Sequence, residues 1–173
     1  MVACIEDDHI RAAKIYIQGE DTIEVLLRDI KEECQELRLD LAAAQRIGGS
    51  PGFADRIISR GEILSARFMQ AVLKDRGIGT KLVDVSEAIR FRVSHGLDQN
   101  FYHCLADALA KEVASCGKQV PLVTGYFGPV PGGLLNEIGR GYTDLCAALV
   151  AVGLRADELQ IWKEVDGVFT AVR

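Results

Sequence analysis

Gln119-Val120-Pro121-Leu122-Val123-Thr124 runs into Gly125, and Gly128, Gly132, Gly133, Gly139-Arg140-Gly141 then lead to Tyr142-Thr143-Asp144-Leu145-Cys146. The opening run is short, apolar and partly β-branched, which predicts a buried strand. Leu145, Ala148, Leu149 and Val152 follow at helical spacing. Gly153 stands where that helix is expected to stop, and Thr143 is the expected N-cap. Strand, glycine-rich loop and helix is an arrangement that turns backbone N–H groups and a helix dipole toward an anion. Arg140 adds a planar fork suited to a carboxylate or phosphate. Cys146 falls near the start of the same helix, where a thiol pKa can drop, but the spacing leaves its face open.

Working outward, the segment before this stretch is mostly helical. A helix is expected over 7–17, ended by Gly19. Asp21-x-x-Glu24 has the form of a capping box. From it Ile23, Leu26, Leu27, Ile30, Cys34, Leu37, Leu41 and Ala44 make one apolar stripe, closed by Gly48-Gly49-Ser50-Pro51. A third helix over 53–75 buries Ile57, Leu64, Phe68, Ala71 and Val72 and carries Gly61 inside it. Glycine there costs about 1 kcal/mol against alanine, so a close backbone neighbour is expected. Thr80 to Val85 reads as a strand, and Asp98 caps a helix that Gly117 closes. Beyond the central stretch, Glu158 to Lys163 reads as a strand, with a turn at Asp166-Gly167 and a further extended run over Val168-Phe169-Thr170-Ala171. Strands alternating with helices imply right-handed crossovers and a parallel sheet. The fold class is α/β, with a helical part over 1–79 and an α/β part with the site over 80–173, in one domain. Ligands in such sheets bind beyond the carboxyl ends of the strands.

Composition narrows the function. The 173 residues are one domain's worth, and a net charge of −5 offers no electrostatic footprint for nucleic acid. No apolar run reaches the ~20 residues that a membrane-spanning helix needs. The first residues show no secretory signal, so a cytoplasmic protein is expected. Five scattered cysteines without C-x-x-C spacing read as reduced thiols. His9, His95 and His103 lack ligand spacing, so no metal site is expected.

The blocks Val123-Thr124-Gly125-Tyr126-Phe127-Gly128, Gly139-Arg140-Gly141-Tyr142-Thr143-Asp144-Leu145-Cys146-Ala147-Ala148-Leu149 and Trp162-Lys163-Glu164-Val165-Asp166-Gly167-Val168-Phe169-Thr170-Ala171 resemble aspartate kinase in its fungal form. Gly61-Glu62-Ile63-Leu64-Ser65 is similar to that family's G-E-K-L-S helix, with Ile63 in place of the lysine. The resemblance implies a helix-rich, three-layer α/β/α amino acid kinase fold with a short, mostly parallel sheet. It implies that Glu62 and Arg140 hold the substrate aspartate, and that Asp144 assists at the transferring phosphate. Thr124, Gly125, Tyr126, Tyr142 and Thr143 would line the substrate site, and Lys163 and Asp166 the nucleotide pocket.

The departures are equally specific. The family's K-F-G-G-T-S phosphate loop is not in the sequence, and its A-D-P-R motif becomes Ala171-Val172-Arg173. Phosphoryl transfer is mainly positioning and charge neutralisation. A truncated homologue without that loop is therefore not expected to be a competent kinase, with ATP and magnesium needed only where kinase activity is kept and no other cofactor. Three readings stand. The chain converts an anionic metabolite by acid/base chemistry of the isomerase or cyclase kind, through Glu62 and Asp144. It is a residual aspartate kinase or a piece of one. Or it is a non-catalytic binding module. A parallel sheet cut short also predicts a homodimer that covers a sheet edge or the amphipathic helix over 21–46.

Overall fold

The computed structural model describes residues 1–48, 51–93 and 96–164. The elements run α1 Val2–Tyr16, α2 Glu20–Ile47, α3 Pro51–Asp75, β1 Thr80–Val83, α4 Gln99–Ala114, β2 Val120–Val123, α5 Leu134–Glu137 and α6 Tyr142–Leu154. The strands pair in parallel, with Thr80 beside Val120 and Val83 beside Val123. Side chains of β2 alternate as a pleated strand requires. Pro121 lies on the α6 side and Leu122 on the α3 side, and Val123 borders both. The short sheet thus lies between helical layers, the α/β architecture the sequence implied.

Two cores hold the chain together. Ala13, Ile17, Leu26, Ile30, Cys34, Leu64, Ala71 and Val72 join α1, α2 and α3. The apolar stripe of α2 is therefore already covered by its neighbours within the chain. Val83, Val85, Phe101, Leu105, Leu109, Phe127, Leu134, Tyr142, Cys146 and Leu149 form the second core around the strands. Ile58 of α3 packs against this second core while Leu64 sits in the first, so α3 ties the two together.

Several local expectations are corrected by tertiary partners. The capping box at Asp21 is not used: α2 begins at Glu20, with Gly19 as N-cap and no side-chain cap of its own. Its leading amides instead donate to the far end of α3, Gln18 N–H to Asp75 Oδ2 at 3.0 Å and Gly19 N–H to Asp75 Oδ1 at 2.8 Å. These two hydrogen bonds lower the Asp75 pKa. A Cβ at Gly19 would lie 2.8 Å from that same carboxylate oxygen. Asp98, by contrast, caps α4 as expected, accepting the Phe101 N–H at 2.8 Å.

Gly153 does not stop α6, which ends at Leu154 with Arg155 in the left-handed region at φ 53°. A Cβ on Gly153 would lie 2.3 Å from the Ala106 carbonyl oxygen. The glycine lets α4 and α6 approach backbone to backbone, so packing rather than termination fixed it. Residues 158–163 do not pair as a strand; the segment is irregular and exposed, with Trp162 86% accessible. A strand needs a neighbour to satisfy its amides, and among the described residues only β1 and β2 pair. The strand expected over 168–171, the turn at Asp166-Gly167 and His95 lie outside the described residues. Among the described residues no helix is long and apolar enough to cross a membrane.

Candidate functional site

The carboxyl ends of the strands come first. Val120 N–H donates to Gly79 O at 2.9 Å and Thr124 N–H to Val83 O at 3.1 Å, so the ladder reaches past both ends of the regular strand. Thr124 is 2% exposed, and its hydroxyl oxygen accepts the Val85 N–H at 3.1 Å. Its side chain is therefore spent on joining the two strand ends.

Immediately beyond lies a cavity of about 440 Å³ lined by Gly61, Glu62, Ser65, Ala66 and Met69 of α3, by Leu122 to Gly125, and by Thr143. No neighbouring backbone crosses Gly61: a Cβ there would meet nothing within 4 Å. The missing side chain leaves open space in the cavity wall. Gly125 is the tight position instead. A Cβ on it would lie 2.4 Å from Thr143 Cγ2 and 3.1 Å from Glu62 Oε2. Only a bare backbone fits between the carboxylate of α3 and the first turn of α6.

Thr143 is not the N-cap of α6. The helix starts one residue earlier, with Gly141 as N-cap and no side-chain cap, and Leu145 N–H donates to Gly141 O at 3.0 Å. Within the first turn, the Thr143 methyl faces Gly125 rather than its hydroxyl closing the helix end.

Glu62 is half-buried, and its Oε2 accepts the Tyr126 N–H at 2.5 Å. Tyr126 and Tyr142 are both buried, so what their side chains offer a ligand is indirect. Burial, then hydrogen bonding and charge from Glu62, push the Tyr142 hydroxyl pKa far up. Burial and the charge of Asp55 raise Tyr126 to about 12. Both phenols are held as neutral donors. Cys146, whose face the sequence left open, turns inward at 2% exposure, with Sγ 3.9 Å from Thr124 O. Burial and then Glu62 raise its pKa to about 12, so burial outweighs the helix end and the thiol is inert.

Asp144 and Glu62, expected to act as an acid/base pair, face different partners. Asp144 is 42% exposed and binds Lys163 Nζ through both oxygens, at 2.8 and 2.7 Å. The structure thus joins a residue assigned to the transferring phosphate with one assigned to the nucleotide pocket. Arg140 is exposed and pairs with no carboxylate among the described residues. Asp166 lies outside the described residues. On the other side of Gly125 and Thr143 a second cavity, of about 370 Å³, is lined by Pro121, Val123, Cys146, Val150, Leu154 and Leu159. It is almost wholly apolar and offers a charged ligand nothing.

Sequence reasoning missed Asp55. It is 3% exposed on α3 and accepts the Leu134 N–H at 2.7 Å. Its one signal was spacing: Asp55 and Glu62 are seven residues apart, two helical turns, and so share a face. Among the described residues no cluster of three or more histidine, cysteine or acidic side chains has the arrangement of a metal site.

A carboxylate and a run of glycine backbone therefore gather at the sheet's carboxyl end. Residues 5–172 match the amino acid kinase family. The chain is similar to an aspartokinase of Schizosaccharomyces pombe, at 52% identity over 99% of this chain and 33% of the relative. It is 46% identical to an aspartokinase of Candida albicans, again over 99% of this chain and 33% of the relative. A lysine-sensitive aspartokinase 3 of Escherichia coli is 29% identical over 82% of this chain and 32% of its own length. The chain thus spans about a third of the length of the curated relatives it matches. With residues 5–172 matched and these identities along nearly the whole chain, this protein belongs to the amino acid kinase family.

Proposed function

We propose that the chain is the acceptor-binding part of an aspartate kinase: it holds the amino acid that receives the phosphoryl group, and does not by itself grip the donor. The observation that carries this is the cavity beyond β2, where Glu62 stands against the glycine backbone; Arg140, on the loop that leads into α6, is exposed and pairs with no carboxylate among the described residues. A carboxylate suits an ammonium group and a guanidinium fork suits a carboxylate, and an amino acid presents both. The named activity of the similar chains supplies aspartate as the specific ligand. On the donor side, Lys163 is engaged with Asp144. The isomerase or cyclase reading needs Glu62 or Asp144 as proton carrier, and no finding supports it: Glu62 is engaged with the Tyr126 N–H and Asp144 with Lys163.

Titration calorimetry with L-aspartate tests the proposal. The parent chain is expected to bind it, and Arg140→Lys, which keeps charge but loses the fork, to bind about tenfold more weakly. Equal affinity would remove Arg140 from the site, and no binding by the folded parent would overturn the reading. Incubation with ATP and L-aspartate is expected to give no phosphoaspartate; ordinary kinase turnover would show the donor side to be complete.

A further inference from the structure

We propose that Asp55 is a positioning residue: from α3 it fixes the glycine-rich loop that carries Arg140, and so sets where the substrate carboxylate is gripped. The inference deepens the proposed function and rests on it for the identity of the ligand.

The loop from Gly125 to Gly141 has little to hold its own shape. Gly128, Gly132, Gly133 and Gly139 all have positive φ, between 86° and 118°. Such residues lose the most conformational freedom on ordering, so the path must be imposed from outside. Core packing of Phe127, Val130 and Leu134 supplies part of this, and the side-chain hydrogen bonds to the loop's amides come from one face of α3. Glu62 accepts the Tyr126 N–H near the loop's start, and Asp55 accepts the Leu134 N–H midway.

Leu134 opens the short α5, whose N-cap Gly133 has no side chain to close it. Asp55 closes it from 79 residues away. Glu137 N–H then donates to Gly133 O at 3.0 Å, and Ile138 and Gly139 N–H both donate to Leu134 O, at 2.9 and 3.3 Å. This chain of bonds runs directly from the Asp55 anchor to the residue before Arg140. Past Arg140, Gly141 begins α6.

A carboxylate 3% exposed is costly to bury, and it is retained where it has a specific partner. A packing role alone is served by an apolar residue of similar volume. Asp55 also acts electrically on the site, since its charge helps raise both Tyr126 and Tyr142.

The test compares Asp55→Ala with Asp55→Asn, whose amide oxygen can still accept the Leu134 N–H. Hydrogen exchange over 125–141 is the first readout, and L-aspartate affinity the second. In folded Asp55→Ala, exchange in the loop is expected to rise about tenfold while α1 and α2 stay as in the parent, and affinity to fall about tenfold. Asp55→Asn is expected to remain within about threefold of the parent in both. Unchanged loop exchange in Asp55→Ala overturns the proposal, as does a loosened loop with unchanged affinity. Should Asp55→Ala not fold, Asp55→Ser, too short to reach Leu134, takes its place under the same two criteria. If the parent binds no L-aspartate, the functional reading fails on that arm alone, and loop exchange with its rescue by asparagine still decides what Asp55 does.

Discussion

Glu62→Ala is expected to abolish L-aspartate binding and to lower the unfolding free energy by about 2 kcal/mol. The carboxylate accepts the Tyr126 N–H, and its charge helps to raise the pKa of the Tyr142 hydroxyl. Removing it strands the Tyr126 N–H in a buried setting, and an unsatisfied buried group costs about 1–3 kcal/mol. Glu62→Gln keeps an acceptor oxygen at the same reach and is expected to lose about 1 kcal/mol or less. It removes the charge, however, and so weakens the pull on an ammonium group.

The two variants also separate in alkali. Tyr126 and Tyr142 ionise at higher pH in the folded protein than in the unfolded chain, where a phenol titrates near ~10. Above that pH the unfolded state releases protons that the folded state keeps. The stabilisation these groups give is therefore complete below pH ~10 and falls as pH rises toward the folded value, about 12 for Tyr126. Without the Glu62 charge the Tyr142 shift shrinks, and the decline should be shallower in Glu62→Gln than in the parent. Urea midpoints followed from pH 8 to 11 check this, since at an unchanged slope the midpoint tracks stability. Parallel declines in parent and variant would mean that Glu62 does not act on Tyr142.

Arg60→Met is the other large effect, and it concerns the scaffold. The Arg60 side chain is 16% exposed between α2 and α3, with Nη1 2.9 Å from Glu33 Oε2 and Nε 3.3 Å from Asp40 Oδ2. Burial by itself would lower its pKa, but hydrogen bonds and charge from Glu33 and Asp40 outweigh this and raise it. The two carboxylates are 10% and 7% exposed. Removing one partner of a buried ion pair costs about 3–5 kcal/mol, because the remaining charge is left in a poor solvent. The lower end applies here. Glu33 keeps Arg67 at 3.1 Å and Asp40 keeps Arg56 at 2.9 Å. A loss of about 3 kcal/mol is expected in urea unfolding. Arg11→Met, which breaks the exposed pair with Asp8, should change stability by about 0.5 kcal/mol or less. Similar losses in both would show that burial does not set the value of these pairs.

The sequence by itself determined whatever depends on neighbours a few residues away. The stripe of α2 was legible because helical periodicity brings Leu26, Ile30, Cys34 and Leu37 to one face, and all four are buried. The Asp98 cap was legible because its partner, the Phe101 N–H, lies three residues on. The parallel pair β1 and β2 was legible from two short apolar runs separated by a helix. Glu62 and Arg140 were named through the family resemblance, on motifs written in consecutive residues.

Tertiary structure decided the rest, because there the partner of each group comes from a distant part of the chain. Asp21 had the local form of a cap, yet Asp75 took the position by folding α3 back onto α2. Gly153 looked like a helix stop and proved to be the contact that admits the Ala106 carbonyl. The run 158–163 had strand-forming residues, but strand character belongs to a pair, and its partner cannot be read from one segment. Asp55 and Glu62 read as ordinary acidic residues on a helix, where solvent is the usual partner. What distinguishes them is that the glycine loop brings Leu134 and Tyr126, 79 and 64 residues away, to donate to them. No local pattern marks an acceptor whose donor is a backbone amide, since every residue but proline carries one.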